Sequence, residues 1–149
     1  MYSNLRFIAN NIIKKEVDMK KIYSLRELKT INLIINKPSI VFLRWDLWAG
    51  KTTFTKHILW NILEITDEIS SPTYTYYNKY WDNYHFDLYR LKNYDEFFSI
   101  GWEEILDNNE WVILIEWPDI IGKYYKPDIE IFFNKTEKEG EREIEIIKK

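Results

Sequence analysis

The sequence contains no cysteine, which excludes disulfides, thiolate nucleophiles and cysteine-bound metals. It has no excess of basic charge: Lys and Arg total 21 against 24 Asp and Glu, for a net charge of -3. That balance supplies no bulk electrostatic drive toward nucleic acid or an anionic membrane, although a local basic patch is compatible with it. Its apolar runs, such as residues 111–115, fall far short of the ~20 residues that span a bilayer. The first residues carry no apolar stretch ahead of a small-residue cleavage site, so no secretory signal is read there, and a cytoplasmic location is expected by elimination. Glycine is scarce. There are 4 in the chain, where ordinary usage of ~7% gives about ten, and turns and helix ends need them where φ is positive. Tryptophan, by contrast, numbers 7.

What is present is enough for one domain with one sizeable core: 149 residues, 46% hydrophobic and 30% charged. Residues 1–18 show little organisation and Met19 reads as a second start. We therefore expect 1–18 to be an N-terminal extension and 19–149 a single domain. Residues 24–35, SLRELKTINLII, are expected as a helix opened by a Ser24–Glu27 capping box. SIVFL at 39–43 has the character of a short buried strand, and 52–65 that of the helix after it. Residues 70–91 divide into two aromatic strands around a Trp81-Asp82-Asn83 turn. A helical stretch broken at Gly101 follows over 94–107, then a buried strand stopped at Pro118. Alternating segments at 128–133 and 142–147 predict a terminal hairpin.

Between the 39–43 strand and its helix lies R-W-D-L-W-A-G-K-T-T. Gly50, Lys51 and Thr52 occupy the last three places of G-x-x-x-x-G-K-[ST], in which backbone N–H groups turn inward around phosphates, Lys reaches the β/γ oxygens and the hydroxyl meets Mg²⁺. The helix that follows points its positive end at the same anion. The first glycine place holds Trp45, so the strict pattern fails. Strand–loop–helix context nevertheless favours a phosphate loop over a chance A-G-K-T. A second strand, VILIE, ends in Glu116. Beside a phosphate loop that carboxylate is a candidate Mg²⁺ contact; alone it would be a solvated strand end.

RWDLWAGKTTF, SPTYT, YHFDLYRL, IGWEE and LIEWP occur in this order. Together they resemble the bacterial TsaE (YjeE) family, over about residue 22 to the C-terminus. The resemblance implies an α/β, P-loop NTPase-like three-layer fold with a mixed parallel/antiparallel sheet. It also implies slow Mg²⁺-dependent ATP hydrolysis coupled to TsaB and TsaD partners, which form threonylcarbamoyladenosine in tRNA; tRNA is met only through that complex. By position, Asp46, Leu47, Trp48, Ala49, Gly50, Lys51, Thr52 and Thr53 would line the phosphates. Lys51 would clamp the β/γ-phosphates, and Thr52 and Glu116 would hold Mg²⁺. Ser71 to Thr75 resemble a switch segment near the γ-phosphate, and Asp87 would position the attacking water or the metal shell. Blander roles are also open. Thr73 would satisfy a turn after Pro72, Asp87 would pair with Arg90, His85 would be a packed ring, and the aromatics of 74–81 would be sheet packing rather than the alternative, a partner surface.

The family pattern has glycine where this chain has Trp45 and Trp48. Trp81 and Trp111 also stand where glycine is natural, whereas Trp117 belongs to the family's own IEWP. Trp60 and Trp102 fit either account. Some bacteria read UGA as glycine where other codes read tryptophan, so Trp45, Trp48, Trp81 and Trp111 are expected to be glycines in the source. The competing expectation is a nucleotide-free interaction subunit of the same complex with a blocked loop. A small P-loop kinase is disfavoured, because no lid or acceptor site is recognisable.

Overall fold

The computed structural model describes residues 17–45 and 51–149, without the side chain of Lys51. The expected extension over 1–18 therefore lies almost wholly outside the described residues. Seven strands form one sheet in the order β1-β7-β6-β2-β5-β4-β3. They are β1 (Met19–Ser24), β2 (Ser39–Trp45), β3 (Tyr77–Tyr80), β4 (Asn83–Asp87), β5 (Val112–Glu116), β6 (Ile129–Lys135) and β7 (Glu141–Lys148). The inner four run parallel: β2 pairs with β5 and β6, and β4 with β5. The outer pairs β1–β7, β6–β7 and β3–β4 are antiparallel. This mixed sheet with helices on both faces is the expected α/β fold.

Period-two alternation divides the core. Val41, Leu43, Val112, Leu114, Ile131 and Phe133 face one side, where they meet Phe54, Ile58 and Leu59. These come from α1 (Lys51–His57) and the π-helical turn Ile58–Ile62 that continues it. Burying each such side chain contributes about 1.5–3 kcal/mol relative to exposure. That apolar stripe, rather than intrinsic propensity, holds so short a helix. Phe42, Phe86, Ile113 and Ile115 face the other side, against Phe97 of α2 (Tyr94–Ser99) and Leu106 of α3 (Glu103–Asp107). Asn93 caps α2 by accepting from the Glu96 N–H, and Gly101, at φ +81°, breaks the chain between the two helices as expected.

One expectation fails. The helix over 24–35 is only a 3-10 turn, Leu25–Thr30. Glu27 does bond back to both the Ser24 N–H and hydroxyl. Beyond Thr30, however, Ile31 and Leu33 are buried and Ile34 is 65% exposed, a period of two that an extended chain satisfies and a helix does not. β1 is an element the sequence pattern does not announce. It is an edge strand whose Ile22 is 54% exposed, so it carries no clean alternation to read.

Candidate functional site

Parallel β2, β4, β5 and β6 end on one edge of the sheet, the edge at which open α/β sheets bind ligands. β2 ends at Trp45 and α1 opens at Lys51, so Lys51 and Thr52 begin the helix that follows this strand. Asp46, Leu47, Trp48, Ala49 and Gly50 lie outside the described residues. Thr52 and Thr53, in the first turn of α1, are exposed. No acid stands in that turn to oppose an anion at the helix start.

Two carboxylates stand beside it. Glu116 pairs in register with Leu43 of β2 on one side and Asp87 of β4 on the other. Both acids are only 6% exposed. The Glu116 Oε1 atom lies 2.7 Å from His85 Nε2 and accepts from the Thr55 hydroxyl at 3.4 Å. Among the described residues no donor reaches its Oε2. His85, 2% exposed, is thus buried as a packed ring would be, but it is also bonded to the candidate metal carboxylate. Its i−2 spacing from Asp87, which puts both on one face of β4, is the signal that could have found it.

Asp87 is held differently. Its Oδ2 accepts from Thr73 Oγ1 at 2.9 Å and its Oδ1 from the Tyr89 N–H at 3.0 Å. Ser71 and Thr73 share a hydroxyl bond at 2.7 Å, and the turn closes with the Tyr76 N–H on Pro72 O at 2.6 Å. Thr73 therefore does more than satisfy a local turn: it ties the Ser-Pro-Thr segment to the end of β4. The Asp87–Arg90 pair is not among the described ion pairs. The Arg90 guanidinium instead lies 4.6 Å over the Tyr74 ring, and Tyr74 is 81% exposed. Tyr76 and Tyr77 pack against the second core cluster.

A family model, Threonylcarbamoyl adenosine biosynthesis protein TsaE, matches residues 18–144. The chain belongs to the TsaE family. It is 36% identical over 122 residues to the Rickettsia felis tRNA threonylcarbamoyladenosine biosynthesis protein TsaE, covering 79% of this chain and 67% of that protein. It is 42% identical over 98 residues to the Rickettsia conorii TsaE, covering 62% of this chain and 55% of that one. The chain thus spans between about half and two thirds of the length of these relatives. A crystal structure of YdiB from Bacillus subtilis superposes with a TM-score of 0.63 at 28% identity, covering 89% of this chain and 87% of that one.

Against this TsaE background the tryptophans separate. Trp81 sits in the β3–β4 turn at φ +55°, left-handed backbone that glycine adopts without strain and a β-carbon resists. Trp111 has no such backbone; it is 37% exposed, with Lys37 Nζ 4.3 Å over its ring. Trp45 has no left-handed backbone either: it is the last residue of β2, in register with Phe133. Its bulk is the unusual feature. The indole stacks on Phe133 at 3.8 Å, and its buried Nε1 finds no partner among the described residues. Trp102 lies among Phe86, Phe97 and Tyr77, a core position suited to a large ring. Trp117, at φ +55° and ψ +55°, turns the chain sharply after Glu116. Trp60 is half-exposed and donates from Nε1 to Asp67 O.

On the β6–β7 flank of α1 a cavity of about 110 Å³ is lined by Tyr23, Leu25, Leu28, Thr53, Phe54, Gly140 and Arg142. Burial pushes the Tyr23 phenol up to about 12, so it stays neutral. Among the described residues no group of three or more His, Cys, Asp or Glu is arranged to hold a metal. A carboxylate and a hydroxyl, as Glu116 and Thr52 carry, are in donor chemistry the hard oxygens Mg²⁺ takes, one or two from the protein beside phosphate oxygens and waters. No helix among the described residues is long and apolar enough to cross a membrane.

Proposed function

We propose that this chain is a cytoplasmic, Mg²⁺-dependent ATPase that serves TsaB and TsaD partners in forming threonylcarbamoyladenosine in tRNA. The observation that carries the reading is the meeting of three features at one sheet edge: Lys51 and Thr52 opening α1 after β2, the held carboxylate of Glu116, and the tethered turn on Asp87. Backbone N–H groups of 46–53 would bind the phosphates and Lys51 would neutralise the β/γ oxygens. Thr52 and Glu116 would hold Mg²⁺, which supplies charge neutralisation on the transferred phosphoryl group. Asp87 would orient water, with the Ser71–Thr75 segment closing over it, so that catalysis is mostly positioning and electrostatics. The metal end would lie on the β5 flank of α1, which directs the nucleoside to the opposite flank and its apolar cavity.

A second reading is favoured by Trp45. Its indole fills the space beside Phe133 and Phe54, as a chain that keeps the fold but not the nucleotide would. Titration calorimetry with ATP and Mg²⁺ separates the two. We expect weak or absent binding for the chain as written and restored binding for Trp45→Gly/Trp48→Gly. Equal affinity in both forms overturns the steric argument; a glycine form that ignores ATP overturns the phosphate-loop reading. UGG at codons 45 and 48 of the gene would end the recoding account.

A further inference from the structure

His85 has no part in the roles assigned above, yet it makes the shortest contact to Glu116. Donation to a carboxylate requires that Nε2 carry the hydrogen. Nδ1 is then left buried without a partner among the described residues, so the ring's polar interaction is spent on Glu116. The pairing is built from two strands: His85 lies two residues before Asp87 on β4, and Glu116 closes β5. Thr55, one turn into α1, adds a longer donation to the same Oε1. One carboxylate oxygen is thus engaged from the sheet and from the helix. Among the described residues, Oε2 is the oxygen that no donor takes, and it remains for a ligand.

We propose that His85 is a positioning residue for Mg²⁺. By fixing Oε1 it holds the Glu116 carboxylate in the one rotation that leaves Oε2 free for the ion. Carboxylates that bind metals are generally held by such outer partners, whose loss weakens metal affinity by about 10–100-fold. The inference rests on the reading of Glu116 as a metal contact, and its test keeps the two apart.

The experiment uses the full chain carrying Trp45→Gly/Trp48→Gly and measures ATP affinity as Mg²⁺ is raised. The readout is the Mg²⁺ midpoint, with thermal melting as a check on folding. His85→Phe keeps the ring and removes the donor; we expect the midpoint to rise about tenfold. His85→Gln places an amide N–H near the position of Nε2 and should return the midpoint to within about threefold. His85→Asn, equally polar but too short, should behave like Phe and serves if the Phe variant does not fold. An unchanged midpoint in Phe and Asn, or a Gln variant as impaired as Asn, overturns the proposal. Glu116→Gln is the control. If it too leaves the midpoint unchanged, Glu116 is no metal contact and both statements fall; if it shifts while the His85 variants do not, only this one falls. A glycine form that takes no ATP at any Mg²⁺ concentration overturns the phosphate-loop reading and this inference with it.

Discussion

Thr73 donates its hydroxyl hydrogen to Asp87 Oδ2 across 2.9 Å, and that bond joins the Ser-Pro-Thr turn to the C-terminal end of β4. Asp87 in turn takes the Tyr89 N–H on its other oxygen. The acid therefore fixes a turn on one side and its own strand exit on the other, directly in register with Glu116 on the neighbouring strand. Left-handed backbone marks the same neighbourhood, at Tyr76 (φ +66°) and Trp117 (φ +55°). Each costs of order 1–3 kcal/mol for a non-glycine residue and concentrates where geometry serves function.

Thr73→Val keeps the shape of the side chain and deletes its donor. A hydrogen bond to a charged group contributes about 1.5–3 kcal/mol, enough to free the turn without unfolding the sheet. Amide hydrogen exchange should quicken at Thr75 and Tyr76, whose N–H groups close on Pro72 O, while exchange in β5 stays slow. In the glycine-bearing form, ATP turnover should fall about tenfold, with a smaller change in affinity. Unchanged exchange at Thr75 and Tyr76 would remove the tether from the account.

Arg44 holds Glu130 through Nε at 2.6 Å and Asp119 through Nη1 at 2.6 Å. The two contacts are unequal. Glu130 is buried at 3% exposure, whereas Asp119 is 74% exposed, where a pair contributes at most about 1 kcal/mol. Arg44→Ala leaves a buried acid without that cation. Breaking a fully buried pair costs about 3–5 kcal/mol; because Arg44 is itself 27% exposed, we expect about 2 kcal/mol. Urea denaturation should show it as a lower midpoint with an unchanged slope. Asp119→Ala should move the midpoint little.

The parallel centre of the fold was legible because its strands are apolar runs ended by loop or proline signals: 39–43 and 112–116 were read within two residues of β2 and β5. The candidate site was legible to the extent that its chemistry is local, in Gly-Lys-Thr and the terminal acid of VILIE. β1 was not, since an exposed edge strand needs no alternating face. The helix over 24–35 was mistaken because Leu25, Leu28, Ile31 and Ile35 fit a helical period, while the burial of Ile31 and Leu33 follows the extended one. The His85–Glu116 bond was hidden because it joins residues 31 apart in sequence, brought together only by the β4–β5 register.

Trp81 offers a direct test of the glycine account on stability. Its backbone is left-handed and its side chain is 54% exposed, so little packing is lost on removing the ring. Relief of the β-carbon clash contributes about 1–2 kcal/mol, partly offset by the flexibility glycine gives the unfolded chain. Trp81→Gly should raise Tm by about 2–4 °C, the response of a domain this size to ~1 kcal/mol. Trp111→Gly has no positive φ to relieve and loses the Lys37 contact, so it should not stabilise. A Trp81→Gly chain that melts lower than the parent would contradict the backbone argument.

The cavity beside α1 makes a claim about the far end of the nucleotide. Leu25 is 64% exposed at a cavity it lines together with the buried Tyr23, Leu28 and Phe54, so trimming it should disturb the fold little. If a purine base packs there, Leu25→Ala removes about 1 kcal/mol of apolar contact from the bound nucleoside, a fivefold loss in ATP affinity. Tripolyphosphate has no base and should bind the variant and its glycine-bearing parent within twofold of each other. Calorimetry with both ligands reads the difference directly. Equal losses for the two would show that Leu25 acts on the phosphate end or on folding, and would remove the nucleoside from this flank. An unchanged ATP affinity would move it elsewhere on the same sheet edge, without touching the carboxylates on the other side of α1.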